Sequence, residues 1–260
     1  RDLADRLVVM EGGRIRASGP PDQIAGDESV RRIILPDFSG IRDFSVPPPQ
    51  NGGKPLISVR GLEHCYGDVP ALQGVNLDIS AGEFIAIVGE NGSGKTTLIK
   101  HFVGLLRPTR GTVTVDGKNA ATAQVSELAH TVGLVFQNPD HMFFANTVAE
   151  EIGFGIANLG IPEPEKVLEG VMEKTGLSHA RDLYPRWLSR GERQRLAIAC
   201  VLAMQPKVIV LDEPTTGLDG RESREIMEIL KHLQRDGRAI VMVTHSRQIA
   251  EECTDRIITM

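Results

Sequence analysis

The sequence predicts an α/β fold built on a mostly parallel sheet, and three observations carry that expectation. From residue 56 onward, short all-apolar segments alternate with helical stretches. A glycine-rich loop joins one apolar segment to a helix, and two further apolar segments end in Asp-Glu and in His. Continuous apolar runs of strand length mark strands covered on both faces by helices. At 260 residues, with 41% hydrophobic and 24% charged residues, the chain has a globular composition and enough length for a sizeable core.

The elements follow in order. Residues 7–10 and 14–17 read as two strands around a Gly-Gly turn, and 22–34 as a helix. Residues 36–55, PDFSGIRDFSVPPPQNGGKP, carry Pro47, Pro48, Pro49, Gly52 and Gly53, which sustain neither helix nor central strand, so this stretch reads as a linker. Strands are expected at 57–66, 75–79 and 83–88, then a helix at 95–106 and strands at 112–115 and 132–136. Residues 146–176 hold two helical patterns around Pro162 and Pro164, and no strand is expected from 146 to 185, which suggests a separate helical subdomain. A helix at 190–204, a buried strand at 208–211, a helix at 221–234 and a strand at 239–243 complete the pattern.

Composition narrows the function. A net charge of -5 gives no basic field, which disfavours nucleic acid as the main partner. Cys65, Cys200 and Cys253 lie far apart, without disulfide-frame or zinc spacing, and suggest a reducing compartment. Apolar runs such as 196–204 are too short to span a bilayer.

The chemistry concentrates in three places. GENGSGKTT, residues 89–97, follows the strand FIAIV and opens a helix, which is the context that the pattern G-x-x-x-x-G-K-[ST] requires. Gly89, Asn91, Gly92, Ser93 and Gly94 let backbone N–H groups turn toward phosphates, and the helix N-terminus adds positive potential. Lys95 is expected on the β- and γ-phosphates, the Thr96 hydroxyl on Mg²⁺, and Thr97 on the α-phosphate. KVIVLDEP, residues 207–214, places Asp212 and Glu213 at the carboxyl end of a buried strand, the edge where open α/β sheets bind ligands. Asp212 is expected to hold Mg²⁺ and Glu213 to polarise an attacking water. VMVTH, residues 241–245, sets His245 at a third strand end, in reach of a γ-phosphate.

LSRGERQRLAIA, residues 188–199, lies shortly before the Asp-Glu strand. The whole order resembles the ATP-binding cassette ATPases: phosphate loop, a Gln-containing loop, an L-S-G-G-Q signature, an Asp-Glu strand, then His. The resemblance covers residues 57–260. It implies a P-loop NTPase core with mixed sheet, an antiparallel β subdomain and an α-helical subdomain at about 141–190. It further implies ATP and Mg²⁺ as ligands and ATP hydrolysis as the activity, with Glu213, His245 and Gln137 catalytic. Tyr66 resembles the residue that stacks on adenine, and Gln137 the glutamine that senses Mg²⁺ and the γ-phosphate. Ser189, Gly191 and Asp219 resemble groups that face the nucleotide of a second cassette, so that two domains sandwich two ATP molecules. The departure is Leu188-Ser189-Arg190-Gly191-Glu192. Arg190 could clash, point outward or pair with phosphate, and Glu192 puts a carboxylate in the first helical turn, near the partner's phosphates.

QNPDHMFFANTVAEEIGFG, residues 137–155, resembles the energy-coupling-factor and cobalt-type importers, with Q-N-P-D followed by T-V-x-E-[ED]-[IV]-x-F-G. That resemblance implies integral-membrane transporter subunits as partners and a place on the cytoplasmic face of the cell membrane. Met142, Phe143 and Phe144 read equally well as core packing and as a docking surface. Two other readings stay open: a soluble tandem ATPase acting on ribosomes or DNA, and a mainly regulatory cassette.

Asp5-Arg6-Leu7-Val8-Val9-Met10 repeats in form as Asp255-Arg256-Ile257-Ile258-Thr259-Met260, and the first copy continues into Gly12-Gly13-Arg14-Ile15. Residues 1–35 are therefore expected to be the tail of a preceding cassette. Residues 56–260 would be a second one, truncated at its C-terminal end, in a two-cassette chain. The Gly-Gly-Arg-Ile hairpin is further expected to fold back onto the 56–260 unit, in competition with the second Asp-Arg strand for one sheet edge.

Overall fold

The structure, a computed structural model, describes residues 4–11, 13–27, 30, 37–38, 41 and 54–260. The first elements are an antiparallel hairpin, β1 (Leu7–Glu11) and β2 (Arg14–Gly19), followed by α1 (Pro21–Gly26). Val9, Ile24 and Val30 form a small cluster of their own under it. Of the helix expected at 22–34, residues 28, 29 and 31–34 lie outside the described residues.

A four-stranded antiparallel sheet has the order β4-β3-β6-β7, with β3 (Ile57–Tyr66), β4 (Val69–Ile79), β6 (Arg110–Val115) and β7 (Lys118–Asn119). β4 begins six residues before the expected 75–79, because the two-residue turn Gly67-Asp68 brings Val69 opposite Tyr66. Pro70 is tolerated because β4 is the outer strand.

The second sheet has five strands in the order β11-β5-β10-β9-β8, and every pairing in it is parallel. They are β5 (Phe84–Val88), β8 (Val132–Val135), β9 (Val208–Asp212), β10 (Ala239–Val243) and β11 (Arg256–Thr259). All residues of β9 and β10 are buried, as their apolar runs require. The two-residue period splits them between two cores. Ile85, Val210 and Val241 face a cluster shared with the antiparallel sheet, whereas Phe84, Leu211 and Met242 face the helical side.

The helices are α2 (Lys95–Phe102), α3 (Val125–Ala129), α4 (Val148–Asn158), α5 (Pro164–Lys174), α6 (Arg190–Ala203), α7 (Gly220–Arg235) and α8 (Arg247–Cys253). No strand intervenes between β8 and β9, so α4 and α5 form the strand-free segment expected from the sequence. Among the described residues, no helix is long and apolar enough to cross a membrane.

One expectation changes. The hairpin does not fold back onto the parallel sheet: β1 and β2 satisfy each other, and β11 holds the edge opposite Ile85, Ala86, Ile87 and Val88. Within the proline-rich stretch, Phe38 and Ile41 are 2% and 0% exposed and belong to the helical-side core. The Ile41 N–H donates to the Phe38 carbonyl at 3.0 Å, and the Arg224 guanidinium of α7 donates to the Asp37 carbonyl. These residues are docked on the cassette, whereas residues 36, 39, 40 and 42–53 of the expected linker lie outside the described residues.

Local chemistry explains the T-V-A-E-E run. Thr147 caps α4 and Glu150 closes a capping box with it. Glu151, 4% exposed, accepts from the N–H groups of Phe144 and Ala145 at 2.9 and 2.8 Å. Ser189 and Glu192 form the same box at the start of α6, and the outer Glu192 oxygen lies 2.9 Å from His179 Nε2. Glu192 thus turns back on its own helix. Burial raises its pKa, but the bonds from Ser189 and His179 outweigh burial and leave it below the usual carboxylate range.

Two outcomes are expected. Glu151→Ala should cost about 1–3 kcal/mol in a urea-unfolding measurement, because two backbone donors lose their acceptor. For Glu192 the folded-state pKa is depressed, so the charged form stabilises above the ordinary carboxylate range and that contribution is lost as pH falls through the folded pKa. Glu192→Gln should therefore be less stable by about 1 kcal/mol at pH 7, with the gap closing at acid pH; a gap that stays constant with pH would count against the charge.

Candidate active site

Parallel register brings the candidate residues to one edge. Asp212 of β9 pairs with Val243 of β10, and Val243 with Ile87 of β5. The ladder runs on through Glu213 N–H to the Val243 carbonyl at 3.0 Å and Thr244 N–H to the Ile87 carbonyl at 3.1 Å. The phosphate loop after β5, His245 after β10 and the Asp212-Glu213 pair on β9 therefore open onto the same side. Gln137, two residues past β8, flanks β9 on its other side and is exposed.

The loop from Gly89 to Gly94 curls around its own lysine. Lys95, 6% exposed, donates from Nζ to the carbonyls of Gly89 and Glu90 at 2.9 and 2.7 Å, with Ser93 Oγ at 3.4 Å. Gly94 has φ 94°, and a Cβ there would lie 2.4 Å from the Ala71 carbonyl oxygen, so only glycine fits. Asn91 and Gly92 are exposed at the tip. Thr96 Oγ donates to Asp212 Oδ2 at 2.9 Å, joining loop and acid strand across 116 residues of sequence. A hydroxyl and a buried carboxylate in contact are hard oxygen donors of the kind that hold Mg²⁺.

The acids are buried beyond the norm for carboxylates, at 6% exposure for Asp212 and 5% for Glu213. Burial pushes the Asp212 pKa up, and the Thr96 hydrogen bond, Lys100 and Lys95 offset this only in part. Burial likewise raises Glu213 against the pull of His245. Glu213 adopts φ 52°, left-handed backbone that costs a non-glycine residue on the order of 1–3 kcal/mol. Its surroundings hold it there: Oε1 lies 2.9 Å from His245 Nε2, and Oε2 accepts from the Thr216 hydroxyl at 3.2 Å and the His245 N–H at 3.3 Å. Such a carboxylate is both basic and fixed in direction.

Tyr66 is 51% exposed at the end of β3, with its hydroxyl 3.4 Å from Thr97 Oγ. The His64 and Tyr66 rings are nearly perpendicular with centroids 4.7 Å apart, and Tyr66 keeps about half of its surface exposed beside the phosphate loop. Ser189, Gly191 and Asp219 form a second group. Ser189 caps α6, with Oγ accepting from Glu192 N–H at 3.2 Å, so its hydroxyl proton is free to donate outward. Asp219 caps α7. Sequence reasoning places Thr216 in the loop after Glu213 but gives it no role, although it lies between the two groups, and it missed Trp187, 77% exposed beside the signature turn. Trp187 could have been singled out as the sole tryptophan, one residue before Leu188-Ser189.

The profile of the family described as "ABC transporter" matches residues 72–216. A putative ABC transporter ATP-binding protein of Methanosarcina acetivorans is 46% identical over 261 residues, covering 100% of this chain and 49% of the relative. A counterpart from Pyrococcus furiosus is 46% identical over 209 residues, covering 79% of this chain and 80% of that protein. The chain spans about half the length of the first curated relatives it matches. Among solved structures, cbiO1 of Clostridium perfringens, described as part of the ABC transporter complex cbiONQ, superposes with TM-score 0.74 at 37% identity, over 80% of this chain and 85% of that one. The cassette MJ0796, in a dimeric post-hydrolysis state with ADP and phosphate, gives TM-score 0.70 at 30% identity, over 78% and 94%. The chain belongs to the ABC transporter family and carries that family's ATPase cassette.

Proposed function

We propose that this cassette, paired with a second one, hydrolyses ATP to drive an importer of the energy-coupling-factor or cobalt type, for a vitamin or transition-metal ion. The observation that carries the ATPase half is the Thr96–Asp212 hydrogen bond, which sets the loop's hydroxyl against the buried acid. Lys95 exchanges the carbonyls of Gly89 and Glu90 for β- and γ-phosphate oxygens. The loop N–H groups from Gly89 to Gly94 cradle the phosphates, Thr97 donates to the α-phosphate, and the exposed ring of Tyr66 stacks on adenine. Mg²⁺, held by Thr96, Asp212 and Gln137, would neutralise charge on the phosphate oxygens. Glu213 accepts a proton from the water attacking in line, while His245 fixes that carboxylate and donates to the γ-phosphate. Ser189, Gly191 and Asp219 face the nucleotide of the second cassette.

The repeated Asp-Arg phrase and the separate cluster beneath β1 and β2 support a second cassette on the same chain. The importer reading rests on the Q-N-P-D and T-V-A-E-E runs, the similarity to cbiO1 and an exposed aromatic pair. Phe144 and Phe154 are 64% and 50% exposed and stand edge-to-face at 4.6 Å. Phe143, by contrast, is 7% exposed and Met142 is packed against the same core, so the docking role falls to Phe144 and Phe154. An apolar surface of this kind suits short helices of an integral-membrane subunit, with the cassette held at the cytoplasmic face of the membrane.

Glu213→Gln should keep ATP affinity within about two-fold while lowering kcat at least about 100-fold, as loss of a general base does; wild-type-like turnover in single-turnover assays would remove Glu213 from the reaction. Phe144→Asp with Phe154→Asp should abolish copurification with membranes and leave the melting temperature within about 2 °C, since both rings are exposed. Retention on membranes would sink the docking surface, and cosedimentation with ribosomes would favour a soluble role.

A further inference from the structure

Two glycines are each covered by a charged side chain: Gly217, in the loop after Glu213, by Arg190 of the signature turn, and Gly191, in the signature turn, by Glu222 in the first turn of α7. A Cβ on Gly217, where φ is 74°, would lie 2.6 Å from Arg190 Cζ and 2.7 Å from its Nη2. A Cβ on Gly191 would lie 2.5 Å from Glu222 Oε1. Arg190 Nη2 also donates to the Thr216 carbonyl at 2.9 Å. The same Thr216 donates from its hydroxyl to Glu213 Oε2 at 3.2 Å. Arg190 therefore neither clashes nor points away from its own domain. It lies flat over a residue without a side chain and reads a carbonyl two bonds of a relay away from the buried acid.

We infer that Arg190 is a positioning residue for ATP hydrolysis: it clasps the Thr216-Gly217 loop to the signature turn, while Glu222, bonded to the Asp219 N–H, lies over Gly191, so that Ser189, Gly191 and Asp219 move as one body and Thr216 stays on Glu213. The inference rests on the ATPase reading above. A planar guanidinium suits this place because it covers the glycine face while keeping an N–H on the carbonyl, and an ammonium cannot do both. Gly217 and Gly191 are the complementary requirement, since any Cβ at either position displaces the covering charge. The clasp also accounts for the departure from two adjacent glycines in the signature: the cation is used within its own domain.

The test compares wild type, Arg190→Met and Arg190→Lys in the full-length protein. Arg190 is exposed, so all three should fold alike. Amide hydrogen exchange of residues 215–219 is measured without nucleotide, together with ATP affinity and kcat. Arg190→Met should speed exchange in that segment several-fold and lower kcat several-fold, with ATP affinity within two-fold, and Arg190→Lys should restore neither. Unchanged exchange in Arg190→Met overturns the clasp, and so does full recovery of turnover by lysine, which would mark Arg190 as a point charge on phosphate. The exchange arm needs no ATP. A wild-type protein that hydrolyses nothing would therefore refute the proposed function while the clasp is still judged by exchange.

Discussion

The molecule depends on four adjacent strands ending in register. Because β5, β10, β9 and β8 pair in parallel with no offset along the ladder, their carboxyl ends form a single line. The helices on one face and the antiparallel sheet with α2 on the other keep that sheet dry, and its residues are apolar as far as the edge. The polar residues come immediately after: loop glycines, Asp212, Glu213, His245. A slip of one residue in β9 would send Asp212 into a core and remove its contact with Thr96. The sheet thus sets the site's geometry and its low polarizability together.

That placement has an electrostatic cost visible in the acids. Asp212 and Glu213 are pushed toward neutrality by burial, and the nearby cations and hydrogen-bond donors compensate only partly. Glu213 is also held in left-handed backbone. Both features set these acids apart from an ordinary strand end: burial is a charge effect that a nearby cation offsets, whereas the left-handed backbone is a conformational cost borne by the surrounding contacts. Lys95 is buried as well, and its charge is met by the loop's own carbonyls at Gly89 and Glu90 rather than by a carboxylate.

What the sequence disclosed depended on how local the cause was. The phosphate loop was legible because its glycines, Lys95 and Thr96 are contiguous and bounded by a strand and a helix. Asp212 and Glu213 were legible because four apolar residues precede them. β4 was read short since Pro70 argues against a strand unless its outer position is known. The direction of Arg190 could not be read, because it is decided by Gly217, which is remote in sequence. Nor could two similar Asp-Arg strands reveal which of them occupies the edge beside β5; pairing energy settles that, and β1 already has β2.

Phe38 and Ile41 separate two ideas that are easily merged. The region of family resemblance begins near residue 57, but the apolar core of the helical side includes side chains from before it, and α7, whose first residue follows Asp219, holds that earlier segment by the Asp37 carbonyl. The evolutionary module and the folding module therefore have different edges. A pull on the chain ahead of residue 37 reaches the cassette at α7, the helix that Asp219 caps, so the segment before the cassette holds a mechanical lever on it.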